Sequence, residues 1–289
     1  MAETITSKKN KNQQPPVEMS FWDHLDALRG HLFRSAIAVV GFAIVAFLNR
    51  SLIFDKIILA PKEPEFITNR LLCQLGNWLN TYVGKWIDVS GLCIGEYQIN
   101  IINLNLSGQF STHMSTSFFA GIMLAFPYII WEMWRFLRPA LYEQEKKHSR
   151  GAVLFMSILF FMGVFFSYFL IVPLTLNFFG SYSVSDMVAN QISLASYIST
   201  VVSVTFSVGV VFELPIFVYF LTKVGILTPD FLKRNRKYMY VIILTISAII
   251  TPPDIFSQIL VSIPLAALYE ISILVSARIA ANQLKAELA

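Results

Sequence analysis

Residues 151–172, GAVLFMSILFFMGVFFSYFLIV, run for 22 positions without one charged side chain. At ~1.5 Å per helical residue the run reaches about 33 Å, enough to cross the ~30 Å hydrocarbon core of a bilayer. Five further apolar runs read the same way: His31–Phe54, Thr112–Leu137, Tyr197–Val224, Tyr238–Ile250 and Ile255–Ala277. None alternates apolar and polar residues in the manner of a strand, which argues against a barrel and requires helices that satisfy their own backbone. The whole chain agrees, because 55% hydrophobic residues, 14% charged residues and a mean hydropathy of +0.60 do not describe a soluble protein. The expected fold class is an all-α polytopic membrane protein with six transmembrane helices.

The fifth run is abnormal. Its 13 residues reach only about 20 Å as a helix, which calls for local bilayer thinning, snorkelling by Arg236 and Lys237, or burial beside other helices. Pro252-Pro253 then ends it and turns the chain directly into the sixth run. The first run has no small-residue cleavage site after it and is too long for a signal-peptide core, so it is expected to direct its own insertion.

Lys and Arg set the expected orientation. With the N-terminus inside, the inner segments hold 17 of the 22 basic residues, and the outer connections 173–195 and 252–254 hold none. Both termini are then cytoplasmic. The net charge of +4 follows from that topology, and it is not read as nucleic-acid binding. Residues 1–18, with Lys8, Lys9, Lys11 and Pro15-Pro16, read as a disordered cytoplasmic tail. Residues 19–289 form a single transmembrane domain with an extended periplasmic segment at 55–111. Within that segment Leu71, Leu75, Trp78, Leu79, Tyr82 and Trp86 recur at helical spacing, and residues 97–106 suit an extended strand. Both cysteines, Cys73 and Cys93, fall there in an oxidising compartment; their spacing leaves a disulfide and two unlinked thiols equally open.

Ahead of the first run, Ser20 and Asp23 form a capping-box signature before Phe21, Leu25, Leu28 and Leu32. Asp23, Asp26, Ala27 and Gly30 gather on the opposite, acidic face. Phe136–Arg150, FLRPALYEQEKKHSR, joins two apolar runs and sets Glu143 and Glu145 among Arg138, Lys146, Lys147 and Arg150. Such carboxylates either bind a cationic partner or neutralise their neighbours. Glu213 stands in the middle of the fourth run, where an acid costs on the order of 3 kcal/mol and must face the bundle interior or a wet cavity. Pro215 kinks the same run, and Glu213 either bonds the carbonyl that Pro215 frees or serves transport. Glu132 and Glu270 lie nearer span ends and reach the interface. Asp254 suits the start of the last helix. No phosphate-binding glycine loop, zinc-type spacing or G-x-S-x-G elbow appears, which argues against an ATPase, a metalloprotease or a serine hydrolase. No cofactor or metal is expected.

Four stretches together resemble the TatC subunit of the twin-arginine protein translocase. Phe21-Trp22-Asp23-His24-Leu25-Asp26-Ala27-Leu28-Arg29 is similar to F-x-x-H-L-x-E-L-R, Leu137–Glu145 to P-A-L-Y-x-x-E, Phe212-Glu213-Leu214-Pro215 to F-E-x-P, and Thr251–Gln258 to T-P-P-D-x-x-S-Q. The resemblance implies a glove-shaped bundle in the bacterial inner membrane and a receptor for twin-arginine signal peptides of folded cargo. It further implies TatA-type and TatB-type single-span partners, assembly of several copies in a larger complex, and transport driven by the proton-motive force. It carries signal-peptide binding onto Glu145, with Arg29 and Phe136 beside it. Ala27 occupies the position of the other family glutamate, so Asp23, Asp26 or Glu143 is expected to serve the second arginine. Glu213, Pro215, Asp254 and Gln258 take the family's intramembrane and partner-contact positions. The alternative reading is a proton-coupled small-solute transporter with Glu213 as its coupling acid, but the two halves show no convincing repeat.

Overall fold

The computed structural model describes residues 21–83, 100–137, 149–183, 185, 187, 191–251 and 255–287. Among these, helices dominate. α1 (Phe21–Leu48) runs unbroken from the amphipathic lead-in through the first span and passes via a π-helical segment (Leu52–Ile58) and a 3-10 turn (Ala60–Lys62) into α2 (Ile67–Val83). α3 (Gly108–Leu137) returns to the end of the bundle where α1 begins. α4 (Ser149–Phe166) continues through a π-helical segment (Ser167–Ile171) into α5 (Val172–Ser181). α6 (Leu194–Val211) and α7 (Leu214–Lys223) are two halves of one crossing, followed by α8 (Pro229–Arg234), α9 (Arg236–Ile250) and α10 (Ile255–Glu287). Five stretches among the described residues are long and apolar enough to cross a membrane: 25–48, 108–136, 151–181, 194–223 and 257–282. α9 has 15 residues, about 22 Å, and falls short of that length.

Three expected boundaries move. The third span does not stop at Val172 but continues to Ser181, because Pro173 sits in the first turn of α5, where its missing N–H is no loss, and the π-helical segment takes up the change of pitch. The fourth, expected to kink at Pro215, breaks at Phe212–Glu213, where Pro215 again sits in the first turn of a new helix. The last helix runs on to Glu287. The outer extended stretch is a two-residue strand, β1 (Ile101–Ile102), paired in parallel with β2 (Ile192–Ser193).

The core lies along α6. Its buried Tyr197, Val201, Val204, Val208 and Phe212 recur every three or four residues and meet Ile171 and Val172 on one side and Val261, Leu265 and Ile273 of α10 on the other. A second cluster joins Ile130 of α3, Met156 and Leu159 of α4 and Ile216 of α7. Elsewhere apolar side chains face outward: Leu32, Ile37, Val40, Ile44 and Leu48 of α1 are all more than half exposed. A helix polar inside and apolar outside is the pattern of a bilayer-solvated bundle. Hence the apolar stripe of the lead-in helix, Leu25, Leu28 and Leu32, turns away from the protein, whereas Ala27, Gly30 and His31 turn toward it.

Hydroxyls and amides tie the helices together. Tyr168 and Tyr197 donate to the carbonyls of Ile57 and Ile58 at 2.6 and 2.8 Å and hold the first outer segment on the bundle. Thr68 bonds the Phe169 carbonyl. Thr175–Ser257 (3.0 Å) joins α5 to α10, and Thr222–Ser276 (2.9 Å) joins α7 to α10. Gly225, with φ at 82°, lets the chain turn out of α7.

Candidate functional site

The site forms where α1 and α3 meet at the end of the bundle that holds Arg34 and Arg135. α1 presents a half-buried stripe, Ala27, His31, Ser35 and Ala38, spaced by one helical turn, and α3 packs along it. Contact is close because Gly121 of α3 has no side chain: a Cβ there would stand 2.7 Å from the Val39 carbonyl and 2.8 Å from the Ala43 amide. Glu132 lies 11 positions further along α3, three turns nearer the basic end.

Glu132 is only 1% exposed and receives side chains from both helices. His31 Nδ1 donates to its Oε2 at 2.5 Å and the Tyr128 hydroxyl donates to its Oε1 at 3.1 Å. The Arg34 and Arg135 guanidinium groups stand 3.8 and 3.7 Å from the same two oxygens, near enough to neutralise but beyond hydrogen-bond length. Arg135 also lies over the Trp131 ring at 5.6 Å. The His31 ring meets Phe136 edge-on at 5.9 Å, one residue before α3 ends. The start of α1 and the start of the 138–148 connection are thus brought to one place.

The expected binding residues distribute as follows. Asp26 is exposed on α1, and Arg29 is exposed with its guanidinium 5.7 Å over the Phe33 ring. Asp23 lies in the first turn of α1, its side chain outside the described residues. Glu143 and Glu145 lie outside the described residues, as do Asp254 and Cys93. Cys73 is disulfide-bonded. Gln258 donates to the Leu244 carbonyl at 3.1 Å and so ties α10 to α9. Glu213 sits at the break between α6 and α7 with both carboxylate oxygens buried and neither accepting a hydrogen bond of ordinary geometry, although the Phe160 backbone lies near. The bond to the carbonyl that Pro215 frees is not made.

Glu132 was not legible as a centre. Its position five residues from the end of a span suggests an acid that reaches the interface, yet it is buried because α1 supplies His31 and Arg34 at the same depth. The signal was present as two bases three apart on one helix and an acid three residues before a base on another. Glu270 behaves as expected of an interfacial acid: it is half-exposed and bonds Arg236 and Tyr240 of α9, each at 2.7 Å.

Comparison with known proteins follows the same lines. The sequence profile of the family described as Sec-independent protein translocase protein (TatC) matches residues 23–264. A protein of that description from Blattabacterium sp. subsp. Periplaneta americana is 38% identical over 269 residues, covering 93% of this chain and 97% of its own length. One from Helicobacter pylori strain J99 is 37% identical over 213 residues, covering 73% and 85%. A crystal structure described as the twin-arginine translocase receptor TatC superposes with a TM-score of 0.67 at 31% identity, over 88% of this chain and 99% of that one.

Proposed function

This chain belongs to the TatC family of Sec-independent protein translocase proteins, and on that premise we propose that it is the receptor subunit that binds twin-arginine signal peptides of folded cargo. The family is a non-enzymatic transport family of integral membrane proteins. The basic end then faces the cytoplasm, both termini lie there, and the protein resides in the bacterial inner membrane. Transport draws on the proton-motive force and on TatA-type and TatB-type single-span partners, with several copies of the chain in one complex.

One observation carries the reading: the His31–Glu132 and His31–Phe136 contacts bring the acidic lead-in of α1 and the end of α3 together, and Glu143 and Glu145 follow in the next few residues. A carboxylate accepts two parallel N–H bonds from a guanidinium, a geometry that lysine does not reproduce. Glu145 takes one arginine, and Asp23, Asp26 or Glu143 takes the other, since Ala27 offers no acid. Arg29 and Phe136 frame the site. Glu213, Pro215, Asp254 and Gln258 serve partner contact and movement within the membrane.

Crosslinking of a twin-arginine peptide to the membrane-embedded chain tests this. Glu145→Gln should remove most of the crosslink, and a twin-lysine peptide should fail on the wild type. Crosslinking that is unchanged by Glu145→Gln rejects the assignment.

A further inference from the structure

We propose that the Arg34–Glu132–Arg135 cluster is a site for the phosphodiester of an anionic phospholipid. The inference is independent of signal-peptide recognition. It starts from charge. Glu132 carries one negative charge against two guanidinium groups, so the guanidinium charges exceed the carboxylate's by one, the complement of a single phosphodiester. Each Glu132 oxygen already accepts from a closer partner, His31 at 2.5 Å and Tyr128 at 3.1 Å. The arginines do not hydrogen-bond it, and their side chains are 45% and 52% exposed. Apart from the Arg34 Nε bond to the Gly30 carbonyl at 3.1 Å, their donors are unused among the described residues. Guanidinium forks with free N–H groups match phosphate oxygens.

Depth argues for a lipid over a soluble phosphate. Arg34 and Arg50 stand 16 positions apart, about 24 Å along the helix axis, so their long side chains, extended outward along the stem, reach the two edges of a ~30 Å hydrocarbon layer. The Arg34 guanidinium is therefore at headgroup level. Beside it Trp131, 45% exposed, carries Arg135 on its ring, an amphipathic anchor of the kind found at membrane interfaces. Beneath, the outward faces of α1 and α3 offer Ile37, Phe118 and Leu124, an apolar track for acyl chains. Basic groups set between transmembrane helices on one side of the membrane bind lipid headgroups in this way. Glu132 gathers two arginines from two helices to one point without using up their donors.

The test is native mass spectrometry of the full chain released from nanodiscs of phosphatidylcholine with graded phosphatidylglycerol. The wild type should retain phosphatidylglycerol in preference to phosphatidylcholine. About 1 kcal/mol per basic residue near an anionic surface corresponds to about fivefold each, so Arg34→Gln with Arg135→Gln should weaken retention by roughly 25-fold. Arg34→Lys with Arg135→Lys, which keeps the charge but not the fork, should recover only part of it. Lys233→Gln with Arg234→Gln, exposed bases on α8, should change it less than twofold. An equal loss in that control would reduce the effect to general adsorption and overturn the proposal. Displacement of the lipid by millimolar inorganic phosphate would also overturn it, in favour of a soluble-anion site. Unchanged retention by the glutamine pair, in a variant that keeps wild-type thermal stability, would refute it outright.

Discussion

Gly121→Ala should loosen α1 from the bundle. The added Cβ would lie 2.7 Å from the Val39 carbonyl oxygen and 2.8 Å from both the Ala43 amide and its Cβ. These are mostly backbone atoms, which cannot rotate away, so relief to an ordinary ~3.4 Å contact requires a shift of about 0.7 Å between the two helices. Overpacking of this kind costs about 1–3 kcal/mol, and helices in a membrane depend on small residues for their approach because no hydrophobic effect drives them together. α1 has little else to lose, since most of its apolar side chains already face outward. The shift also reaches the His31–Glu132 bond of 2.5 Å, about 16 Å along α3. Thermal unfolding in detergent, read by tryptophan fluorescence, with limited proteolysis of α1 as a second readout, measures the effect. Gly41→Ala and Gly151→Ala are the controls: a Cβ at either meets nothing within 4 Å, and the gain in helix propensity should leave them neutral or slightly more stable. Equal stability of Gly121→Ala and Gly41→Ala would refute the close-approach argument.

Other substitutions probe other joints. Tyr197→Phe leaves the Ile58 carbonyl, now bonded at 2.8 Å, without its buried donor and should cost about 1–3 kcal/mol; faster hydrogen exchange over 52–66 is the check, and none is expected in α9. Gly163→Ala presses on the Phe212 Cγ at 2.7 Å and the Gly209 Cα at 3.0 Å and should lower the midpoint of thermal unfolding, whereas Gly151→Ala should not. Glu270→Gln removes an exposed pair with Arg236 and should cost no more than about 1 kcal/mol in unfolding experiments. Glu213→Gln should leave stability unchanged or raise it, because both carboxylate oxygens are buried without an ordinary hydrogen bond; a clear loss in thermal unfolding would reveal an interaction that the static geometry lacks.

The spans were legible because a bilayer imposes length and apolarity on each helix separately, and residues 151–172 announce both without reference to neighbours. What depends on neighbours was not. Pro173 reads as a boundary in one dimension, but the π-helical segment before it lets the helix continue to Ser181. The lead-in stripe of Leu25, Leu28 and Leu32 is plain as a stripe, but which way it faces is not, and it faces outward because lipid is the better solvent for it. The acid on α3 was judged by its distance from a span end, whereas its burial follows from the register of α1 against α3, which Gly121 sets. Glu143 stands out in sequence by charge, and Glu145 by charge and by its place in the P-A-L-Y-x-x-E stretch.

Glu132, Glu270 and Glu213 separate on one criterion, the company each keeps. Glu132 has a histidine, a tyrosine and two arginines, and Glu270 has an arginine and a tyrosine. Both lie at the basic end, where the positive side chains that orient the protein are already at hand, so their charge is compensated locally and strengthens a helix pair. Glu213 lies ten residues from Lys223, about 15 Å along the helix, with neither oxygen in an ordinary hydrogen bond. A buried carboxyl without compensation costs stability. Stability therefore explains Glu132 and Glu270 but gives no reason for Glu213.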